Sequence, residues 1–252
     1  MNYSTKQISS YLWGYKNYEA GSKCIETFRK FYPNSDIFLR VDTDGDYDNY
    51  KKFTNKFNVD IDLQKKKIGY PGNYLEHDVG RDHWPYENLH TWLTSIYDCC
   101  KRTSSKYMII LEEDTFLMKP ISIINNEFGI AIVLNNNPIP IRLTQFIMSV
   151  GGNTSSDGYG GCGGAIINTQ DFIKGYDIAM EKLKIEFDDI SKDTKLVGWS
   201  DMMLQVIIMC SGSEVVINQQ LVVPWWGKDW LISGSWENHE MVTCLKDITL
   251  LQ

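Results

Sequence analysis

The sequence predicts an α/β protein: an open, Rossmann-like mixed sheet flanked by helices. Three observations carry this. The chain opens strand–helix–strand. A long amphipathic helix feeds directly into a short, unbroken apolar run near the middle of the chain. Further apolar runs of strand length then alternate with helical patterns. With 252 residues, 43% hydrophobic, the length allows one large α/β domain or two small ones, each with a real core. No internal repeat or low-complexity linker divides the chain, so 1–252 is read as one domain.

The elements follow in order. Ile8 to Gly14 (ISSYLWG) reads as a first strand ending in a turn. Ala20, Cys24, Ile25, Phe28 and Phe31 recur at helical spacing, and Pro33 ends that helix. Asp36 to Val41 is a second strand, followed by the acidic turn DTDGDYDN. Tyr50 to Phe57 reads as a helix and Val59 to Leu63 as a strand. Gly69 to His83 is a polar loop carrying Arg81. Pro85 opens a helix whose buried stripe is Leu89, Trp92, Leu93, Ile96 and Cys100. Ile130 to Leu134 is another buried strand, and Ile141 to Val150 fits helix and strand equally. GGNTSSDGYGGCGG combines a polar first half, a candidate mobile loop, with a glycine-rich second half leading into the strand Ala165 to Asn168. Thr169 is placed to cap a helix with Phe172, Tyr176, Met180, Leu183 and Phe187 inward. Ser200 and Asp201 open an apolar helix through Cys210. Glu214 to Ile217 and Leu221 to Val223 are late strands.

The functional signal lies in the middle. Tyr107 to Leu111 is the apolar run of a strand buried on both faces, and it ends in Glu112, Glu113 and Asp114. An unpaired buried carboxylate is costly, so the strand must deliver these acids to an opening. In an open α/β sheet that opening is the crevice at the carboxyl ends of the strands. Hard divalent cations take oxygen ligands and share them with phosphates, so one reading is a cation site. The other is a solvated acidic turn. The local string fits both, and the order of the elements around it decides.

The turn after the second strand, with Asp42, Asp44, Asp46 and Asp48, has several readings. In a calcium loop starting at Asp42, the sixth position would need glycine but holds Tyr47. A phosphatase nucleophile motif fits Asp42, Asp44 and Gly45 but not Asp46. The others are a nucleotide base or ribose pocket and a plain solvated turn.

Composition narrows the partners. The net charge of −7, with Lys65 to Lys67 the one basic run of note, argues against a nucleic-acid backbone. No stretch approaches the ~20 apolar residues of a membrane span. The N-terminus lacks an apolar signal core. The 6 Cys include no closely spaced metal pair, and Cys24, Cys99 and Cys210 fall among apolar helix residues. Reduced thiols and a cytoplasmic setting are expected, the host cytoplasm for a viral source.

Taken in order, these features resemble glycosyltransferases of the GT-A fold, over roughly Ser9 to Met241. The resemblance rests on a β-α-β opening, an acidic strand end of the DxD or EDD-like type at Glu112–Asp114, the segment GYGGCGGAIIN, and an acid at a helix start in GWSDMML. First-place Glu112 departs from the usual Asp, and Asp201 stands alone where many inverting members have Glu-Asp. The resemblance implies a nucleotide-sugar half near 1–115 and an acceptor half at 116–252. It implies a UDP- or GDP-sugar donor, a glycan or glycoconjugate acceptor, and Mn2+ or Mg2+ held by Asp114, Glu112 and His239. Trp13, Asp42, Asp44, Arg81 and Glu112 then fall to the donor. Gly163, Gly164, Trp225 and Trp226 fall to the acceptor. Asp201 becomes the base of an inverting reaction. The rivals are an Asp42 phosphatase, a nucleotidyltransferase, for which Trp13-Gly14-Tyr15 is a poor phosphate loop, and a non-catalytic carbohydrate-binding module.

Overall fold

A computed structural model describes residues 8–43, 45–64, 84–132, 138–156, 158–160, 163–193, 200–219, 221–224 and 240–243. Strands β1 (Ile8–Gly14), β2 (Ile37–Val41), β3 (Asp60–Leu63) and β4 (Tyr107–Glu112) pair with one another in parallel. They are joined by helix α1 (Tyr18–Phe31), the short helices α2 (Tyr47–Tyr50) and α3 (Phe53–Phe57), and α4 (Tyr86–Arg102). The sequence pattern favoured one helix over Tyr50 to Phe57. The structure splits it, with Asn58 in the left-handed region ending the second piece.

The second part of the chain adds β5 (Phe116–Leu117), β6 (Ile130–Ile132), α5 (Ile141–Ser149), β7 (Ile166–Asn168), α6 (Thr169–Asp193), α7 (Ser200–Cys210), β8 (Val215–Ile217), β9 (Val222–Pro224) and β10 (Met241–Thr243). The main sheet has seven strands in the order β3-β2-β1-β4-β7-β6-β8. β7 runs antiparallel to both β4 and β6, which makes the sheet mixed, as expected. β5 forms a small second sheet with the two last strands, in the order β5-β10-β9. Ile141 to Ser149 proves helical, burying Leu143, Phe146 and Ile147.

The unbroken apolar run of β4 is explained by what covers it. Met108 and Ile110 face a core built with Trp92, Leu93 and Ile96 of α4 and Phe172 and Leu183 of α6. Tyr107, Ile109 and Leu111 face the opposite core, with Cys24, Ile25 and Phe28 of α1. A strand covered on both faces has no polar face to show. Cys24, Cys99, Cys100 and Cys210 are free and buried; Cys162 and Cys244 lie outside the described residues. No helix among the described residues is long and apolar enough to cross a membrane.

Two local details differ from expectation. Thr169 does not cap α6. Asn168 does, its Oδ1 accepting from the N–H groups of Gln170 and Asp171 at 3.0 and 3.3 Å. The buried Thr169 hydroxyl instead donates to the Ser105 carbonyl at 2.9 Å, fastening the helix start to the segment before β4. Helices α6 and α7 also meet backbone to backbone at Gly175, where a Cβ would sit 1.9 Å from the Ile207 carbonyl oxygen.

Gly175→Ala therefore weighs two effects. Alanine gains about 1 kcal/mol of helix propensity. Overpacking against backbone costs about 3 kcal/mol, because a carbonyl cannot change rotamer. The expected result is a net loss of about 2 kcal/mol in urea unfolding; an unchanged or raised midpoint would show that the two helices separate freely.

Candidate functional site

Strands β1, β2 and β4 end at one edge of the sheet, and the candidate site is built there. Trp13 and Glu112 are register partners on β1 and β4. Beside them a cavity of about 260 Å³ is lined by Trp13, Tyr15, Asn17, Glu112, Glu113 and Asp114. None of these residues carries a positive charge. Trp13 is backed by two buried indoles: its ring lies 5.5 Å from Trp84, which lies 5.6 Å from Trp92.

Strand alternation sorts the acids. Glu112 continues the Met108–Ile110 face, beside Trp13. Glu113, just past the strand in the turn, continues the face toward α1. There its Oε1 accepts hydrogen bonds from the Tyr15 N–H and the Tyr50 hydroxyl. The Asn17 N–H lies 3.3 Å from both carboxylate oxygens. Asn17 also caps α1, its Oδ1 accepting from the Ala20 N–H. Burial pushes the Glu113 carboxyl above its ordinary 4.5; the hydrogen bonds from Tyr50, Tyr15 and Asn17 oppose that rise without cancelling it. Burial and the neighbouring Glu113 push the Tyr50 hydroxyl upward, so it stays protonated and donates. The Cys24 thiol beneath is raised by burial and by Asp114 and Glu113, and stays a thiol.

The three consecutive acids therefore do not act together, because the amides of the β1–α1 turn take up Glu113. Among the described residues no three His, Cys, Asp or Glu side chains form a cation-binding cluster. Glu112 and Asp114 still present two hard oxygen donors at one cavity. That set fits Mg2+ or Mn2+, which commonly binds one or two carboxylates and completes its shell with substrate phosphates and water.

Asp42 is not in the described lining of this cavity. It is fully buried, and its Oδ1 accepts from the Thr43 N–H at 2.8 Å. Its turn is tied to the same β1–α1 connection: the Asp46 N–H donates to the Tyr15 carbonyl at 2.6 Å, and the Asp42 N–H to the Gly14 carbonyl at 3.1 Å.

On the other flank runs the glycine-rich segment. The Gly164 N–H donates to the Ile110 carbonyl at 2.7 Å, which brings Gly163 and Gly164 alongside β4. The described residues of the polar half before them bond to α7. The Asn153 N–H donates to the Met209 carbonyl of α7 at 2.9 Å. Gln205, fully buried on α7, donates from Nε2 to the Gly158 carbonyl (2.8 Å) and the Ser156 hydroxyl (3.0 Å) and accepts from the Gly160 N–H at 3.3 Å. Asp201 occupies the first turn of the same helix, one turn before Gln205; its side chain lies outside the described residues. So do Asp44, Arg81, Trp225, Trp226 and His239. The described neighbour of His239 is Glu240, whose carbonyl accepts from the N–H groups of Met118 and Lys119 just beyond β5.

The structure thus brings together Trp13, Glu112 and Asp114, with Gly163 and Gly164 on the adjacent flank. Sequence reasoning missed Tyr15, Asn17, Tyr50 and Gln205. Asn17 was findable as an asparagine directly before a helical pattern. Gln205 was findable as the lone polar residue in MMLQVIIM. Tyr50 and Tyr15 carry no local signal, because their contacts to Glu113 are long-range.

No protein-family model matches the chain, and no curated protein matches it in sequence. Solved structures do match it in chain path. One is the galactosyltransferase LgtC in complex with donor and acceptor sugar analogs, 12% identical with a TM-score of 0.49, covering 94% of this chain and 87% of that one. An active-site mutant of LgtC matches with 11% identity, the same TM-score and the same coverage. The apo form of the glycosyltransferase GlyE of Streptococcus pneumoniae TIGR4 matches with 9% identity and a TM-score of 0.47, covering 96% of this chain and 55% of that one. At this identity the chemistry must be taken from the residues themselves.

Gln205→Leu keeps the volume and removes both halves of the amide. The buried Gly158 carbonyl and Gly160 N–H then lose a partner, at a cost of about 3 kcal/mol in all. Chemical denaturation measures this; a loss under about 1 kcal/mol would show that the segment holds itself.

Proposed function

We propose that the chain is a GT-A glycosyltransferase that moves a sugar from a nucleotide-diphosphate sugar, UDP- or GDP-linked, to a hydroxyl of a glycan or glycoconjugate. The observation that carries this reading is the cavity at the carboxyl edge, where a strand buried on both faces delivers Glu112 and Asp114 beside the Trp13 ring. An aromatic face suits a sugar or a base. A lining whose charged members are all carboxylates suits an anionic ligand only through a bridging cation. Glu112 and Asp114 would hold that cation, which when bound supplies positive charge to the leaving diphosphate.

The chain's own residues do the rest. Tyr15 and Trp13 form the wall against which the donor packs. Asp42 shapes the turn that carries Asp44, and that turn meets the Tyr15 carbonyl through the Asp46 N–H. Arg81 is assigned to the diphosphate and His239 to the cation. Gly163 and Gly164 let an acceptor approach β4 closely, with Trp225 and Trp226 framing it. Asp201 takes the proton of the acceptor hydroxyl as that oxygen attacks the anomeric carbon; the bond from that carbon to the diphosphate breaks, with inversion. The halves near 1–115 and 116–252 divide the work between donor and acceptor. The phosphatase alternative gains no support, because a fully buried Asp42 held by Thr43 offers no surface to a phosphoryl group.

Two experiments test this. UDP or GDP with Mn2+ should raise the melting temperature while neither the nucleotide nor Mn2+ alone does so to the same degree, and Asp114→Ala should abolish the rise. A nucleotide response that ignores Mn2+, or survives Asp114→Ala, would remove the cation assignment. Asp201→Asn should keep that thermal shift yet slow transfer by about 100-fold or more. Near-normal transfer would take the base role away from Asp201.

A further inference from the structure

Glu113 is the one acid of the three that the proposed reaction leaves unused. Its carboxylate gathers two backbone N–H groups, of Tyr15 and Asn17, and the hydroxyl of Tyr50. Tyr50 is fully buried. Its ring is seated on two glycines: a Cβ at Gly14 would come within 3.0 Å of it, and one at Gly21 within 2.8 Å. Three separate pieces therefore meet on one side chain: the β1–α1 turn, the helix following the Asp42 turn, and the acidic end of β4. The same turn carries Tyr15 and Asn17 of the cavity wall, and Trp13 lies at the end of β1 just before it, opposite Glu112 and Asp114.

In doubly wound sheets the amides at the turn after the first strand and at the start of the first helix receive a ligand's phosphate. In this chain the protein's own carboxylate takes them. We propose that Glu113 is a positioning residue, an internal anion that occupies the amides of the β1–α1 turn and holds the aromatic wall at a fixed spacing from Glu112 and Asp114. An anionic ligand is thereby kept off the α1 terminus and directed to the Glu112–Asp114 side. The latch follows from the geometry alone; its effect on ligand binding rests on the proposed function.

The test uses the full chain with Mn2+ alone, followed by electron paramagnetic resonance, and with UDP and GDP in the presence of Mn2+, followed by calorimetry. Glu113→Ala should bind Mn2+ about as wild type does but bind the nucleotide about tenfold more weakly. Added acetate, returning a carboxylate to the vacated amides, should recover most of that loss. Glu113→Gln, whose carbonyl oxygen still accepts from the amides, should lose about threefold or less. A residue that only stabilised the fold would lower the melting temperature without separating Mn2+ from nucleotide affinity. If the alanine variant does not fold, Glu113→Asp replaces it; its shorter carboxylate cannot reach the amides and Tyr50 together, and about a tenfold nucleotide loss is again expected. Wild-type nucleotide affinity in Glu113→Ala, or in Glu113→Asp where that variant stands in, overturns the positioning role alone. So does a parallel fall of Mn2+ and nucleotide affinity that acetate does not reverse. A wild-type protein that binds neither nucleotide with Mn2+ overturns the proposed function and this role with it.

Discussion

β4 is covered by helices on both faces, and the site follows from that condition. With α1 on one side and α4 and α6 on the other, successive residues enter different cores, so the first polar residues past the strand inherit different surroundings. Glu112 emerges beside Trp13. Glu113 turns toward α1 and is met by amides and a phenol. Asp114 returns to the cavity. One register thus assigns three adjacent acids to two tasks, two at the cavity and one in its foundation. A slip of one residue in the pairing of β1 and β4 would exchange those tasks.

The electrostatics follow the same division. Glu113 is desolvated but has three donors, which is how a buried carboxylate becomes tolerable. Glu112 and Asp114 remain at an opening whose described lining holds no cation, in a protein of net charge −7. The negative potential there favours a cation over a bare anion, which is what the proposed reading asks of the site.

Much of the fold was legible in the sequence because it is written in periodicity. The stripes of α1 and α4, the apolar runs of β1, β2 and β4, and the acidic strand end were all readable. What escaped was short or long-range. α2 and α3 are too brief for a helical period to be counted. Asn168 and Thr169 are both good capping residues, and only the partner at Ser105 decides between them. Gln205 and Tyr50 declare themselves through contacts with residues far along the chain. Trp13, Glu112 and Asp114 were legible as candidates because they stand at strand ends, whereas the buried state of Asp42 depends on how the turn folds back on Tyr15.

The small sheet β5-β10-β9 has a bearing on how the protein is made. β5 is two residues long and starts two positions after Asp114, yet its partner is Met241 and Val242. A two-residue strand has no stability of its own, and closing so long a loop is entropically expensive. During synthesis the main sheet has all its strands through β8 before β10 leaves the ribosome. β5 is therefore the last strand of the two sheets to meet its antiparallel partner. Until then β5 and β9 lack the strand that joins them, and a chain truncated before Met241 would keep the main sheet without this small one.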